Sequence, residues 1–155
     1  MALRGERMGG LQDFLLLAKL EDFDVETHKI VQKFHRAERH VLSAEIRANV
    51  AEIIFLVIRA AKEQLEARRW KRPPVRTLEL LKQADTRLEY LKMQIRKAHS
   101  LKQTDDKTYE RWAGMAREIG SLLGGWLKKV EPAEEAARKR QPQAQNSLLN
   151  LGTQA

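Results

Sequence analysis

The chain has 155 residues, a net charge of +8 and no cysteine, which suits one domain with tails and excludes a disulfide framework or a thiolate site. Hydrophobic content of 43% beside 32% charged residues fits neither a disordered chain nor a membrane chain. Leu, Ala, Glu, Lys and Arg outnumber Val and Ile, which favours helices over strands.

Residues 1–10 hold three glycines and no periodicity, so they are expected to form a mobile lead-in. Arg4 and Arg7 precede Leu15-Leu16-Leu17, but the apolar patch is short and runs into Lys19, Glu21 and Asp22. It is not read as a signal peptide. A first helix is expected over 11–34, with Leu16, Leu20, Phe23, Thr27, Ile30, Val31 and Phe34 on one face. The run from His35 to Leu42 reads as a connection or a single turn. Ser43 then has the chemistry of an N-cap, with Glu45 favouring the positive end of the helix dipole.

The second helix is expected over 44–69. Its run Ile53-Ile54-Phe55-Leu56-Val57-Ile58 is apolar nearly all the way round, so it is buried on more than one side. A bundle helix needs only one buried stripe, so Ile54, Phe55 and Ile58 are candidates for a subunit contact. Pro73 and Pro74 stop this helix. Around them lie Arg68, Arg69, Trp70, Lys71, Arg72 and Arg76, five basic residues and a tryptophan with no acid. Those are the ingredients of phosphate contact with base stacking. The competing reading is a helix C-terminus that uses cations against its dipole.

A third helix is expected over 75–102, with Leu78, Leu81, Ala84, Leu88, Leu91, Ile95 and Ala98 as its stripe. Lys92, Arg96 and His99 form an outer ridge, joined by Lys97 as a further cation. Such a ridge is more often a solvated face than a binding site. Thr104-Asp105-Asp106 is a turn and N-cap signal. The fourth helix is expected over 105–130. Tyr109, Trp112, Ala116, Ile119, Leu123, Trp126 and Val130 alternate by three and four, which places them on one stripe. Gly120, Gly124 and Gly125 interrupt that helix at about 1 kcal/mol each against Ala. Close helix packing is the favoured reason for them, with a ligand or partner site as the alternative. Pro132 is expected to close the helix, leaving 131–155 as a disordered tail in which Leu148, Leu149 and Leu151 are a possible docking motif.

Residues 23–130 hold 23 basic and 14 acidic groups, so the positive excess belongs to the folded part. This points to an anionic partner, nucleic acid above all, or to solubility alone. His28, His35, His40 and His99 have no metal-ligand spacing, and the chain has no P-loop and no nucleophile elbow. Neither a catalytic residue, nor a metal, nor a cofactor is expected. The longest apolar run is too short to cross a membrane, and a cytoplasmic protein is expected. The residues alone describe a basic helical bundle that binds a partner; the fold expected is all-α, an antiparallel up-down four-helix bundle.

Several stretches go further. Leu88-Glu89-Tyr90-Leu91-Lys92, Ala98-His99-Ser100-Leu101-Lys102, Tyr109, and above all Glu118-Ile119-Gly120-Ser121-Leu122-Leu123-Gly124-Gly125-Trp126-Leu127-Lys128 resemble the accessory variability determinant (Avd) proteins of diversity-generating retroelements. Those are related in fold to the four-helix-bundle proteins of 23S ribosomal RNA intervening sequences. Lys33-Phe34 and Leu42 with Ile46 resemble the family's first connection. His35 stands where the family usually has proline, and Ser43 where it often has glycine; both affect a turn. The resemblance covers about residues 20–130.

It implies a homopentameric barrel of four-helix bundles. It implies binding to the retroelement's reverse transcriptase and to template RNA/cDNA, in support of mutagenic reverse transcription, with no catalytic residue in the accessory protein itself. Arg68, Arg69, Trp70, Lys71, Arg72, Arg76, Lys92, Arg96 and Lys97 are the candidate binding residues, chosen from charge clustering. Ile54, Phe55, Ile58, Gly120, Gly124, Gly125 and Trp126 are the candidates for helix packing and self-association. Alternatives of the same fold are an intervening-sequence bundle of another role and an oligomeric scaffold for protein partners.

Overall fold

The computed structural model describes the backbone of residues 11–151 and the side chains of 15–132 and 135–140. The lead-in at 1–10, residues 152–155 and the side chains of Leu148, Leu149 and Leu151 lie outside the described residues. The described residues form four long helices: α1 (Leu11–Val31), α2 (Leu42–Arg69), α3 (Val75–Ser100) and α4 (Asp106–Leu151). One extra helical turn, Arg36–Arg39, joins α1 to α2.

The helices form an up-down bundle in which α1 packs on α2, α2 on α3, α3 on α4, and α4 back on α1. The ion pairs fix the directions. Lys19 meets Glu118 at 3.1 Å and Glu26 meets Arg111 at 2.6 Å, so α1 and α4 run antiparallel. Glu63 meets Arg76 at 3.6 Å, and the same holds for α2 and α3. That leaves α2 and α4 diagonally opposed. The indole N–H of Trp126 donates to Gln64 Oε1 at 2.8 Å across this diagonal.

The stripes expected from periodicity are the core. Leu16, Leu20 and Phe23 of α1, Ile46, Val50, Ile53 and Val57 of α2, Leu81, Leu88 and Leu91 of α3, and Trp112, Ala116, Ile119 and Leu123 of α4 are all buried. Each large side chain removed from water contributes about 1.5–3 kcal/mol. Phe34 is fully buried and meets Trp112 edge-on, with ring centroids 6.4 Å apart. It therefore pins the α1–α2 connection although it lies beyond the end of α1. A polar pair joins α2 to α3 among these residues: Asn49 Nδ2 donates to Gln94 Oε1 at 3.1 Å and to the Arg87 carbonyl at 3.2 Å. Each pairing binds α2 to α3 at one register.

Both short connections have the same cap. The Arg72 N–H donates to the Ala67 carbonyl and the Lys71 N–H to that of Arg68; Gln103 repeats this with Ala98, and Lys102 with His99. These are paired Schellman closures. Each places a lysine in the left-handed region, Lys71 at φ 51° and Lys102 at φ 57°. Glycine usually occupies that position, because a Cβ is strained there.

Three expected boundaries change. α1 ends at Val31, not 34, as the chain turns to bury Phe34. Ser43 is not the N-cap: α2 starts at Leu42, Val41 is in the cap position with no side-chain cap, and Ser43 is buried. Leu42 has to be inside the core, so the helix winds from there. The third change is the largest. α4 does not end at Pro132 but runs through it and through Pro142 to Leu151, so residues 131–151 are helical and not a disordered tail. A proline removes one intrahelical bond, while the Ala, Glu, Arg, Lys and Gln around it favour helix. Val130 is the last buried residue of α4 among those described, and the helix continues about 30 Å beyond it.

Candidate nucleic-acid interface

The expected binding residues fall at two separate places. Arg68 and Arg69 are in the last turn of α2, Trp70 is its C-cap, Lys71 and Arg72 are in the connection, and Arg76 is in the first turn of α3. Lys92, Arg96 and Lys97 are near the other end of α3, about 30 Å away by helical rise. The structure thus brings together the members of each group but not the two groups.

At the loop end, Trp70 is 66% exposed. Its indole N–H donates to Glu66 Oε2 at 3.0 Å, and the Arg69 guanidinium stands 5.4 Å over its ring. The ring is therefore oriented but still open to water. Arg72 and Arg76 share one carboxylate, Glu63, at 3.7 and 3.6 Å. Those two arginines clamp the connection to α2, and their charge is partly neutralised. Lys71 has no ion pair among the described residues and is exposed, at a strained backbone position.

At the other end, Lys92 and Arg96 are one turn apart and line a groove between α3 and α4 of about 230 Å³. Ile95, Tyr109, Ala113 and Arg117 complete its lining. Lys97 is rotated about 100° from Arg96 around the helix and does not share the groove. Lys92 pairs with Glu89 at 2.7 Å; Arg96 and Arg117 make no ion pair among the described residues. The Tyr109 ring stacks on His99, with centroids 4.1 Å apart and planes 11° from parallel. His99 is tied in turn to Asp106 Oδ1 at 2.7 Å. The apolar pattern of the sequence places Tyr109 in the core stripe and gives no sign that Arg117 belongs with it. The signal that joins them is the row Tyr109, Ala113, Arg117 at intervals of four, opposite Lys92 and Arg96 at the same interval.

The self-association candidates also divide. Ile54 is half-buried against the core, and Trp126 is buried. Gly120 faces α3: a Cβ there meets Lys92 Nζ at 3.3 Å and Leu88 Cδ2 at 3.5 Å. Gly124 and Gly125 have nothing within 4 Å of an added Cβ, so packing inside the bundle does not explain them. Phe55 and Ile58 are 56% and 41% exposed, with the Arg59 guanidinium 5.8 Å over the Phe55 ring.

Among the described residues, no group of three metal-ligating side chains comes together, and no helix is long and apolar enough to cross a membrane. The fold and the exposed cations define the class: an all-helical four-helix bundle with basic side chains at two places on its surface. The chain belongs to the bAvd-like family, whose model matches residues 14–130. That makes it an Avd-type accessory protein, of a non-catalytic family. The match stops at Val130, so the projecting part of α4 lies outside it. No curated protein and no solved structure matches the chain.

Proposed function

We propose that this protein serves a diversity-generating retroelement as a cytoplasmic accessory factor. In this reading it binds the reverse transcriptase and the template RNA/cDNA through its basic surface, and the polymerase carries out the mutagenic copying. The family membership over residues 14–130 carries the reading. The exposed Trp70 beside Arg69 and Lys71, and the cationic groove at Lys92 and Arg96, supply what phosphate contact and base stacking need.

The working form in this proposal is a homopentameric ring. A ring with head-to-tail contacts needs two different patches on each subunit, facing opposite ways. α2 and α4 are diagonal partners, so their outer faces point apart. Phe55 and Ile58 provide an apolar patch on one; Gly124 and Gly125 provide a close-approach patch on the other. Ring symmetry repeats each basic site, and several weak contacts on one RNA reinforce each other without any new contact.

The test is light scattering on the full chain, alone and with reverse transcriptase or structured RNA at low and high salt. A pentamer-sized particle that binds both partners and releases RNA in salt supports the proposal. A protomer indifferent to both would remove it and leave only the fold.

A further inference from the structure

We infer that the α3–α4 groove takes a single-stranded segment of nucleic acid, with phosphates on Lys92, Arg96 and Arg117 and a base against Tyr109. This rests on the nucleic-acid reading above and assigns it a place and a strand form.

Three observations carry it. The first is charge. Every ionisable side chain lining the groove except Tyr109 is a cation, and two of the three, Arg96 and Arg117, make no ion pair among the described residues. Glu89 reaches only Lys92, at 2.7 Å. A partner that brings spaced negative charges completes this set; an apolar or cationic one does not.

The second is the aromatic platform. His99 backs one face of Tyr109 at 4.1 Å, and Asp106 fixes His99 at 2.7 Å. The ring plane is thus set before any ligand arrives, which reduces the ordering cost of binding. Aromatic rings beside a cationic track are how single strands are held, since every base has a stacking face. A duplex keeps those faces inside.

The third is size. At about 230 Å³ the groove is below the range of roughly 300–1,000 Å³ typical of small-molecule sites. It suits one unit of a passing strand better than an enclosed ligand. Gly120 contributes here, because its missing side chain lets the Lys92 ammonium lie against α4, 3.3 Å from where a Cβ would stand.

The experiment is fluorescence anisotropy with the full chain, using a short labelled single-stranded RNA and the duplex of the same sequence across a salt series. The variants are R96Q/R117Q, Y109L and Y109F. Single-strand binding is expected to exceed duplex binding. R96Q/R117Q is expected to lose about tenfold or more in low salt and to flatten the salt slope by about 1.4, the value for two phosphate contacts on a single strand. Y109L is expected to lose about 5- to 150-fold with the slope unchanged, and Y109F to retain binding. Thermal melts of each variant separate loss of binding from loss of fold. Unchanged single-strand affinity in R96Q/R117Q, with intact binding by the parent protein, would overturn the groove assignment alone. Equal or tighter duplex binding would overturn the strand form. Loss of reverse-transcriptase binding with RNA binding intact would make the groove a protein-docking site. No RNA binding by the parent protein would remove both this inference and the reading beneath it.

Discussion

The Trp112 indole N–H donates to the Thr27 hydroxyl at 3.0 Å, and both residues are buried to 1% exposure or less. A polar bond in the middle of an apolar stripe does more than fill space. It fixes the depth at which α1 sits on α4, and Trp112 meets Phe34 from the same position.

Replacing Thr27 by Val keeps the shape and removes the acceptor. The indole N–H is then buried without a partner, at a cost of about 1–3 kcal/mol. A urea titration should show a lower midpoint for T27V at unchanged slope, with T27S close to the parent protein. Equal midpoints for T27V and the parent would mean that water reaches the indole.

The fold was legible because its signals are repeated along each helix. The stripe from Tyr109 to Val130 repeats at the helical period, and Trp112, Ala116, Ile119, Leu123, Trp126 and Val130 are all buried. Asp105 was readable as a cap for the same local reason: its carboxylate accepts the Thr108 N–H at 2.7 Å. What misled were local rules overridden by the rest of the chain. Ser43 has N-cap chemistry, but burial of Leu42 starts the helix earlier. Pro132 is a stop signal, but the strong helix formers on either side carry the helix on. The groove was not legible because it depends on two helices at once. Helical spacing within α3 separates Lys97 from Lys92 and Arg96, but nothing within α3 says that those two face Arg117.

Asp105 also predicts a pH dependence. The bond from the Thr108 backbone holds its carboxyl below the usual carboxylate range, and the Thr108 hydroxyl, Lys107 and Arg111 add to the effect. A carboxyl lowered on folding adds stability above its unfolded pKa and loses it as pH falls through the folded value. Asp105→Asn keeps an acceptor but no charge. The melting temperatures of parent and D105N should differ at neutral pH and converge below about pH 4. A constant gap across the titration would show that the charge at position 105 is irrelevant.

Gly124 and Gly125 are in a helix interior, where each costs roughly 0.5–1 kcal/mol relative to Ala. Nothing inside the bundle requires them, since an added Cβ meets nothing within 4 Å. In the proposed ring they make room for the next subunit. Gly124→Ala and Gly125→Ala should therefore raise the stability of the protomer while lowering the particle mass seen by light scattering. Full-mass rings from both variants would move the subunit contact away from α4.

Lys71 sets stability against binding at one residue. Its φ of 51° strains any residue with a Cβ by about 1 kcal/mol or more, and the Schellman closure around it is the usual place for glycine. Lys71→Gly should thus raise the urea midpoint by an amount equivalent to about 1 kcal/mol. The same change removes a cation beside Trp70 and Arg69, and RNA binding should weaken with a shallower salt slope, by about 0.7 for one contact on a single strand. Lys102→Gly is the control: it has φ 57° and the same closure at the opposite end of the bundle. It should gain similar stability with no loss of RNA affinity attributable to the loop. If both variants gain stability and bind RNA equally well, Lys71 is strained for no purpose in binding, and the loop cluster is only a helix end.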